Sequence, residues 1–246
     1  MDLSFLYVAS PLWFCLSLGI YSLRTEEQQM SLSHFMQCSL LMVMTFLGVY
    51  RFYFWVAQAQ WQKEVTMEAH RTSWSCPETW IDWWLGFSAP WVFVYSFAFY
   101  FAFALVLVEV RNRDEMMGLL FRGCILVLIH CLFWMVFPTT IPSKLISLKE
   151  EHRSQIQSRT KPIDFSLMCL NMVQGLDGQN TNAVPSLHCS LASFLAMILY
   201  FEYSFSGWIW LALNILIPIS CIKTKQHMFG DCCIGMVVAF VLYIVL

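Results

Sequence analysis

Charge is what this chain has least of. Only 12% of its 246 residues are Asp, Glu, Lys or Arg, where a soluble domain carries about 25%. That scarcity argues against an ordinary water-facing surface. A net charge of −2 gives nucleic acid no footing, so no nucleic-acid partner is expected. Linkers are missing too. No Gly/Ser-rich or Pro-rich stretch divides the chain, no repeat is evident, and no polar segment is long enough to fold separately. One domain over residues 1–246 follows. The ten cysteines contain no CxxC pair, which removes the usual zinc and redox motifs. Inside apolar runs a cysteine reads as a small buried hydrophobe. Cys76 and Cys169 lie in the two longest loops, where an oxidising compartment would allow a disulfide.

Apolar residues fill the space that charge leaves: 59% of the chain is hydrophobic and 17% aromatic. About 20 apolar residues cross a bilayer as helix. Residues 3–23, 83–108, 123–143 and 203–222 are free of Asp, Glu, Lys and Arg throughout. Three further runs, 34–56 (with Arg51 inside), 186–202 and 227–246, are shorter or interrupted. The fold class expected is all-α, a polytopic transmembrane helical bundle of six or seven spans. Such a protein is an integral, multi-pass resident of a bacterial cytoplasmic membrane or a eukaryotic endomembrane. The first run lacks a basic region before it, so it reads as a retained span.

Alternating crossings put the polar segments 58–82, 144–184 and 223–226 on one side. Segments 24–30, 111–122 and 202–206 fall on the other. His188 and His227 are 39 positions apart, which fits two helices of about 17 residues and a short turn. Both histidines therefore end on one face and are expected to be neighbours.

Three motifs converge there. In KTKQHMFGD, His227 and Asp231 are four apart and share a helix face. A carboxylate on one imidazole nitrogen fixes the tautomer and leaves the other nitrogen basic, as an oriented base or nucleophile requires. Lys223 and Lys225 point to an anionic ligand. In NAVPSLHCSLA, Pro185 suits a helix start, Ser186 can cap or offer a hydroxyl, and the first free amides suit phosphate. His188 can hold a proton for a leaving group. In FPTTIPSK, Thr139 and Thr140 lie between two prolines, with Lys144 following. Each motif alone also fits a bland account: an incidental HxxxD, an interfacial histidine, a helix exit with a snorkelling lysine. Together they supply what phosphoryl transfer asks for, positioning and charge stabilisation. No carboxylate cluster for a metal is apparent, so no metal or other cofactor is expected.

The order TTIPSK, PSLH, TKQHMFGD resembles the type 2 phosphatidic acid phosphatase superfamily, over about residues 82–246. Its PSLH/TKQH branch, which includes inositol phosphorylceramide synthase-like proteins, is the closer match. The resemblance implies a six-helix transmembrane core and metal-independent chemistry. It implies that His227 attacks phosphorus to give a phosphohistidine, that His188 protonates the leaving group, and that Asp231 orients His227. Ser186 would contact the phosphate, with Thr140, Lys144, Lys223 and Lys225 as further phosphate-binding candidates. Two departures stand out: Ser220 is followed by Cys221 where the family commonly has arginine, and Ile141 precedes Pro142 where it commonly has Arg-Pro.

The function expected is a membrane lipid-phosphate phosphatase acting on a lipid phosphate or phospholipid. A headgroup phosphotransferase, resembling inositol phosphorylceramide or sphingomyelin synthases, is the alternative. A non-enzymatic scaffold or transporter is the second. The family's site is usually extracytoplasmic or lumenal. Yet the active face carries nine Lys and Arg against four opposite, which the positive-inside rule would place in the cytosol. His130, amid ILVLIHCLF, reads as a hydrogen-bonded core residue, and FVYSFAFYFAF as packing and lipid-facing surface.

Overall fold

The computed structural model describes residues 31–66, 75–137, 183–204 and 207–246, with Thr139, Glu151, Ser154 and Cys169. The expected span at 3–23 and the candidates Thr140 and Lys144 lie outside the described residues. Every element among those described is helical. They are α1 (Leu32–Thr66), α2 (Trp80–Trp84), a 3-10 turn (Ala89–Trp91), α3 (Val92–Glu109) and α4 (Arg113–Val136). Then come α5 (Leu187–Met197, continued by a π-helical stretch Ile198–Glu202), α6 (Gly207–Lys223) and α7 (Phe229–Val245). Among the described residues, α4 is the one helix long and apolar enough to cross a membrane by length and composition.

Three boundaries differ from expectation, two of them for a visible local reason. The polar segment 111–122 is mostly helix. Asn112 caps α4 by accepting from the Glu115 amide at 2.9 Å, and Asp114 and Glu115 occupy the first turn, where the helix dipole favours them. The run 83–108 is broken by the 3-10 turn around Pro90, which lacks a donor and starts a new helix at α3. And α1 continues beyond Arg51, which is exposed, to Thr66, inside the polar segment 58–82. A cap sets the first of these boundaries and a proline the second, rather than charge.

At the centre, α5 packs against α7, α6, α3 and α4. Phe194, Leu195 and Ile198 meet Val106, Leu107, Leu126, Leu213 and Ala239 in the main core. Helix α7 comes so close to the start of α5 that a Cβ at Gly235 would run into the Ser186 carbonyl oxygen. The two helices are stitched there by the Ser190 hydroxyl, 2.7 Å from the Gly235 carbonyl oxygen. His130 joins from α4: its Nδ1 donates to the Leu126 carbonyl at 2.8 Å, and its Nε2 lies 2.8 Å from Ser190 Oγ. It is the buried, hydrogen-bonded histidine that its surroundings suggested. Outside this core, large apolar side chains such as Trp84, Phe121, Trp208 and Val245 are exposed.

The bundle has two chemically different ends. At one, Arg122 pairs with Glu202 through two bonds of 2.7 and 3.1 Å, joining segments 111–122 and 202–206. At the other, the Ser88 amide donates to the Lys223 carbonyl at 2.9 Å, and Val184 N–H donates to Thr139 Oγ1 at 3.1 Å. Those contacts join the segment between α2 and α3 to the end of α6, and the segment after α4 to the one before α5. This second end carries the site.

Candidate active site

The turn after α6 determines where His227 sits. Lys225 N–H bonds the Ile222 carbonyl at 3.1 Å and Gln226 N–H the Cys221 carbonyl at 3.0 Å, the paired pattern of a Schellman helix end. Its left-handed position, normally glycine, is held by Lys225 with φ 54°. A side chain there costs about 1–2 kcal/mol. The Lys225 ammonium offsets that by folding inward, 2% exposed, to donate to the carbonyls of Asp82 and Leu85 at 2.5 and 3.0 Å. It thereby satisfies the last carbonyls of α2, a short helix that brings no basic residue of its own.

Asp82 fastens the same corner from the other direction. Its Oδ2 accepts from the Thr79 amide and hydroxyl at 2.8 and 2.7 Å, and its Oδ1 from the Phe229 amide at 2.7 Å. One buried carboxylate thus starts both α2 and α7. Asp231, 1% exposed, completes the entry to α7 by accepting from the Met228 amide at 2.8 Å.

The two histidines stand on this frame. Their ring centroids are 6.1 Å apart, so the single out-and-back crossing does make them neighbours. His227, 8% exposed, places Nδ1 2.8 Å from the Ala183 carbonyl. A carbonyl only accepts, so that nitrogen carries the proton and Nε2 is left as the basic one. Asp231 Oδ2 lies farther, at 3.9 Å. Among the described residues, then, the nearer anchor of His227 is a backbone oxygen, with the carboxylate as a second charge behind it. His188, at the second position of α5, has Nδ1 2.9 Å from the Tyr95 hydroxyl, and the two ring centroids are 4.1 Å apart with the planes tilted by 32°. Tyr95 is 4% exposed.

The remaining candidates divide by exposure. Ser186 is wholly buried as the N-cap of α5: its Oγ accepts from the Cys189 amide at 3.4 Å and its amide donates to the Asp231 carbonyl at 3.1 Å. Lys223 is half-buried with its ammonium 5.7 Å from the Trp91 ring centroid, a cation–π geometry. Cys76 sits beside Asp231. Burial first, and then the carboxylates of Asp231 and Asp82, push its thiol up to about 12. Cys76 and Cys169 are both free and lie in separate buried clusters, so the disulfide considered for them does not form.

Tyr95, Asp82 and the Ala183 carbonyl complete the site without a motif to announce them. A histidine pair with both Nδ1 atoms anchored can offer two Nε2 atoms to one tetrahedral group. The profile of the PAP2 superfamily matches residues 66–245. The chain belongs to the PAP2 superfamily. Phosphatase- or phosphotransferase-type chemistry goes with that membership, and the matched region holds α2 to α7 and every histidine of the site. No curated protein and no solved structure gives a significant match.

Proposed function

We propose that this PAP2 protein is a multi-pass membrane lipid-phosphate phosphatase working through a phosphohistidine. The observation that carries the reading is the His188–His227 pair, with Nδ1 of each ring tied to a group outside the pair. Nε2 of His227 attacks phosphorus, and the bond to the leaving oxygen breaks. That oxygen takes its proton from Nε2 of His188, which acts as an imidazolium with its Nδ1–H donating to the Tyr95 hydroxyl oxygen and is left as a neutral ring. Water then attacks the phosphohistidine, giving its proton back to His188 and releasing phosphate. No step calls on a metal. Lys223 offers positive charge at the edge of the site; from the first motif, Lys144 would add a second charge and Thr140 a hydroxyl. Ser186 and Lys225 act from behind the surface, holding α5 and the His227 turn in place. Exposed tryptophans, an α3 uncharged from Val92 to Val108 and an uncharged α5 support a bundle set in a bilayer, from which a lipid substrate reaches the site laterally.

The PSLH and TKQH motifs favour one alternative, attack on the phosphohistidine by a lipid hydroxyl instead of water. Purified protein incubated with radiolabelled phosphatidic acid or ceramide phosphate, with and without ceramide, separates the two. Inorganic phosphate release supports the phosphatase, and an acceptor-dependent lipid product supports the transferase. A loss on the order of 10⁴-fold or more is expected for His227→Ala, with no label trapped on the protein. Full activity in that variant would remove the enzymatic reading and leave a scaffold or transporter.

A further inference from the structure

Behind the histidine pair, three cysteines from three helices converge. Cys189 of α5, Cys221 of α6 and Cys232 of α7 place their sulfurs within 4.8 Å of one another, with Cys189 and Cys221 3.8 Å apart. All three are at most 1% exposed. We propose that they form a three-sulfur site for a soft, thiophilic d¹⁰ cation, Cu⁺ or Zn²⁺, that clamps α5, α6 and α7 together.

Three arguments converge on this. The first is size. Sulfurs around one ion at about 2.3 Å lie about 4 Å from each other, and the observed cluster needs only small rotamer shifts to match. The second is ligand chemistry. Thiolates select Cu⁺ and Zn²⁺ over hard ions, and among the described residues no carboxylate or imidazole joins the cluster. The third is electrostatic. Cys189 and Cys232 lie in the first turns of α5 and α7, where helix N-termini favour thiolates. Binding converts three thiols to thiolates and releases three protons as the metal–sulfur bonds form.

The position gives the clamp its meaning. Cys189 follows His188 and Cys232 follows Asp231, while the Cys221 carbonyl accepts from the Gln226 amide that begins the His227 turn. Tyr95 packs in the same cluster. An ion there locks the three segments that carry the histidines, without touching the substrate. Because the sulfurs are buried, the ion is taken up as the bundle assembles.

The test uses full-length protein purified in detergent from cells supplied with copper or, separately, with zinc. Elemental analysis is expected to find a single ion per chain in one of the two preparations, and X-ray absorption at that metal's edge a first shell of sulfur only. Cys221→Ser with Cys232→Ser should lose the ion, while Cys124→Ser on α4 keeps it. Substoichiometric metal in both wild-type preparations would overturn the proposal, as would a nitrogen or oxygen first shell. Retention of the ion by the double variant overturns it too. The wild-type spectrum decides even where the double variant does not fold.

Discussion

The Tyr95 hydroxyl and Nδ1 of His188 are 2.9 Å apart across 93 positions of sequence. A phenol in that place holds the imidazole ring and its tautomer at once. Tyr95→Phe removes the hydroxyl and leaves the ring contact. A hydrogen bond to a charged group is worth about 1.5–3 kcal/mol, or about 10- to 100-fold in rate. Steady-state kinetics on a short-chain lipid phosphate should show that loss in kcat, with KM little changed.

The 2.8 Å contact from His227 to the Ala183 carbonyl, against 3.9 Å to Asp231, predicts a mild Asp231→Asn variant. An amide oxygen can still accept from Met228, and the carbonyl still holds the ring. We expect a loss of about 10- to 100-fold in kcat, short of the ~10⁴-fold that follows when a carboxylate is the sole orienting group. A loss of that larger size would put Asp231 back as the principal anchor.

Lys225 invites a comparison of two substitutions. Lys225→Met keeps the strained left-handed backbone and abandons the carbonyls of Asp82 and Leu85. Lys225→Gly abandons them as well but relieves the strain, by about 1 kcal/mol. Both should lose activity, and thermal unfolding in detergent should find the glycine variant the more stable. Equal stability would mean that the left-handed backbone carries no strain.

Gly235→Ala should fail for steric reasons. The added methyl meets the Ser186 carbonyl and Ser190 Oγ, neither of which can retreat without moving the start of α5. Overpacking of this kind costs about 1–3 kcal/mol, read as a lower unfolding temperature. Activity should fall with it, since His188 is two residues from Ser186.

Orientation is open to a labelling experiment at exposed positions of opposite ends. Glu78→Cys marks the site end and Asp114→Cys the other; both positions are exposed. With an extracytoplasmic or lumenal site, an impermeant maleimide should label the first from that side and the second only after permeabilisation. Native Cys76 should stay silent near neutral pH. Its thiol, pushed up to about 12, carries almost no thiolate there, and only unfolding returns it to about 8.5. The folded state holds its proton longer than the unfolded chain, so this group's contribution is full below about 8.5 and declines toward pH 12.

How much of this the sequence revealed follows from what kind of group does each job. His188 and His227 were legible because alternating crossings fix which ends of helices meet. The far ends of α5 and α6 were legible from composition, because their uncharged runs stop at Glu202 and Lys223. The start of α4 was not, because Arg111 to Arg122 looks like loop until Asn112 is recognised as a cap. Tyr95 hides in an aromatic run where any of several rings has the same composition and only tertiary packing picks one. Asp82 looked like the last residue of a polar segment, although it organises two helix starts. A backbone carbonyl such as that of Ala183 has no sequence signature at all.

That last point bears on how the site can change over time. An anchor made of main chain is not erased by substituting its own residue, so no single codon change deletes the proton acceptor of His227. Position 183 is constrained in bulk, being 2% exposed, but not in chemistry. Drift in this family can therefore exchange side chains around the histidine while its basic nitrogen persists, so substrate preference can diverge around an unchanged His227, the nucleophile we propose.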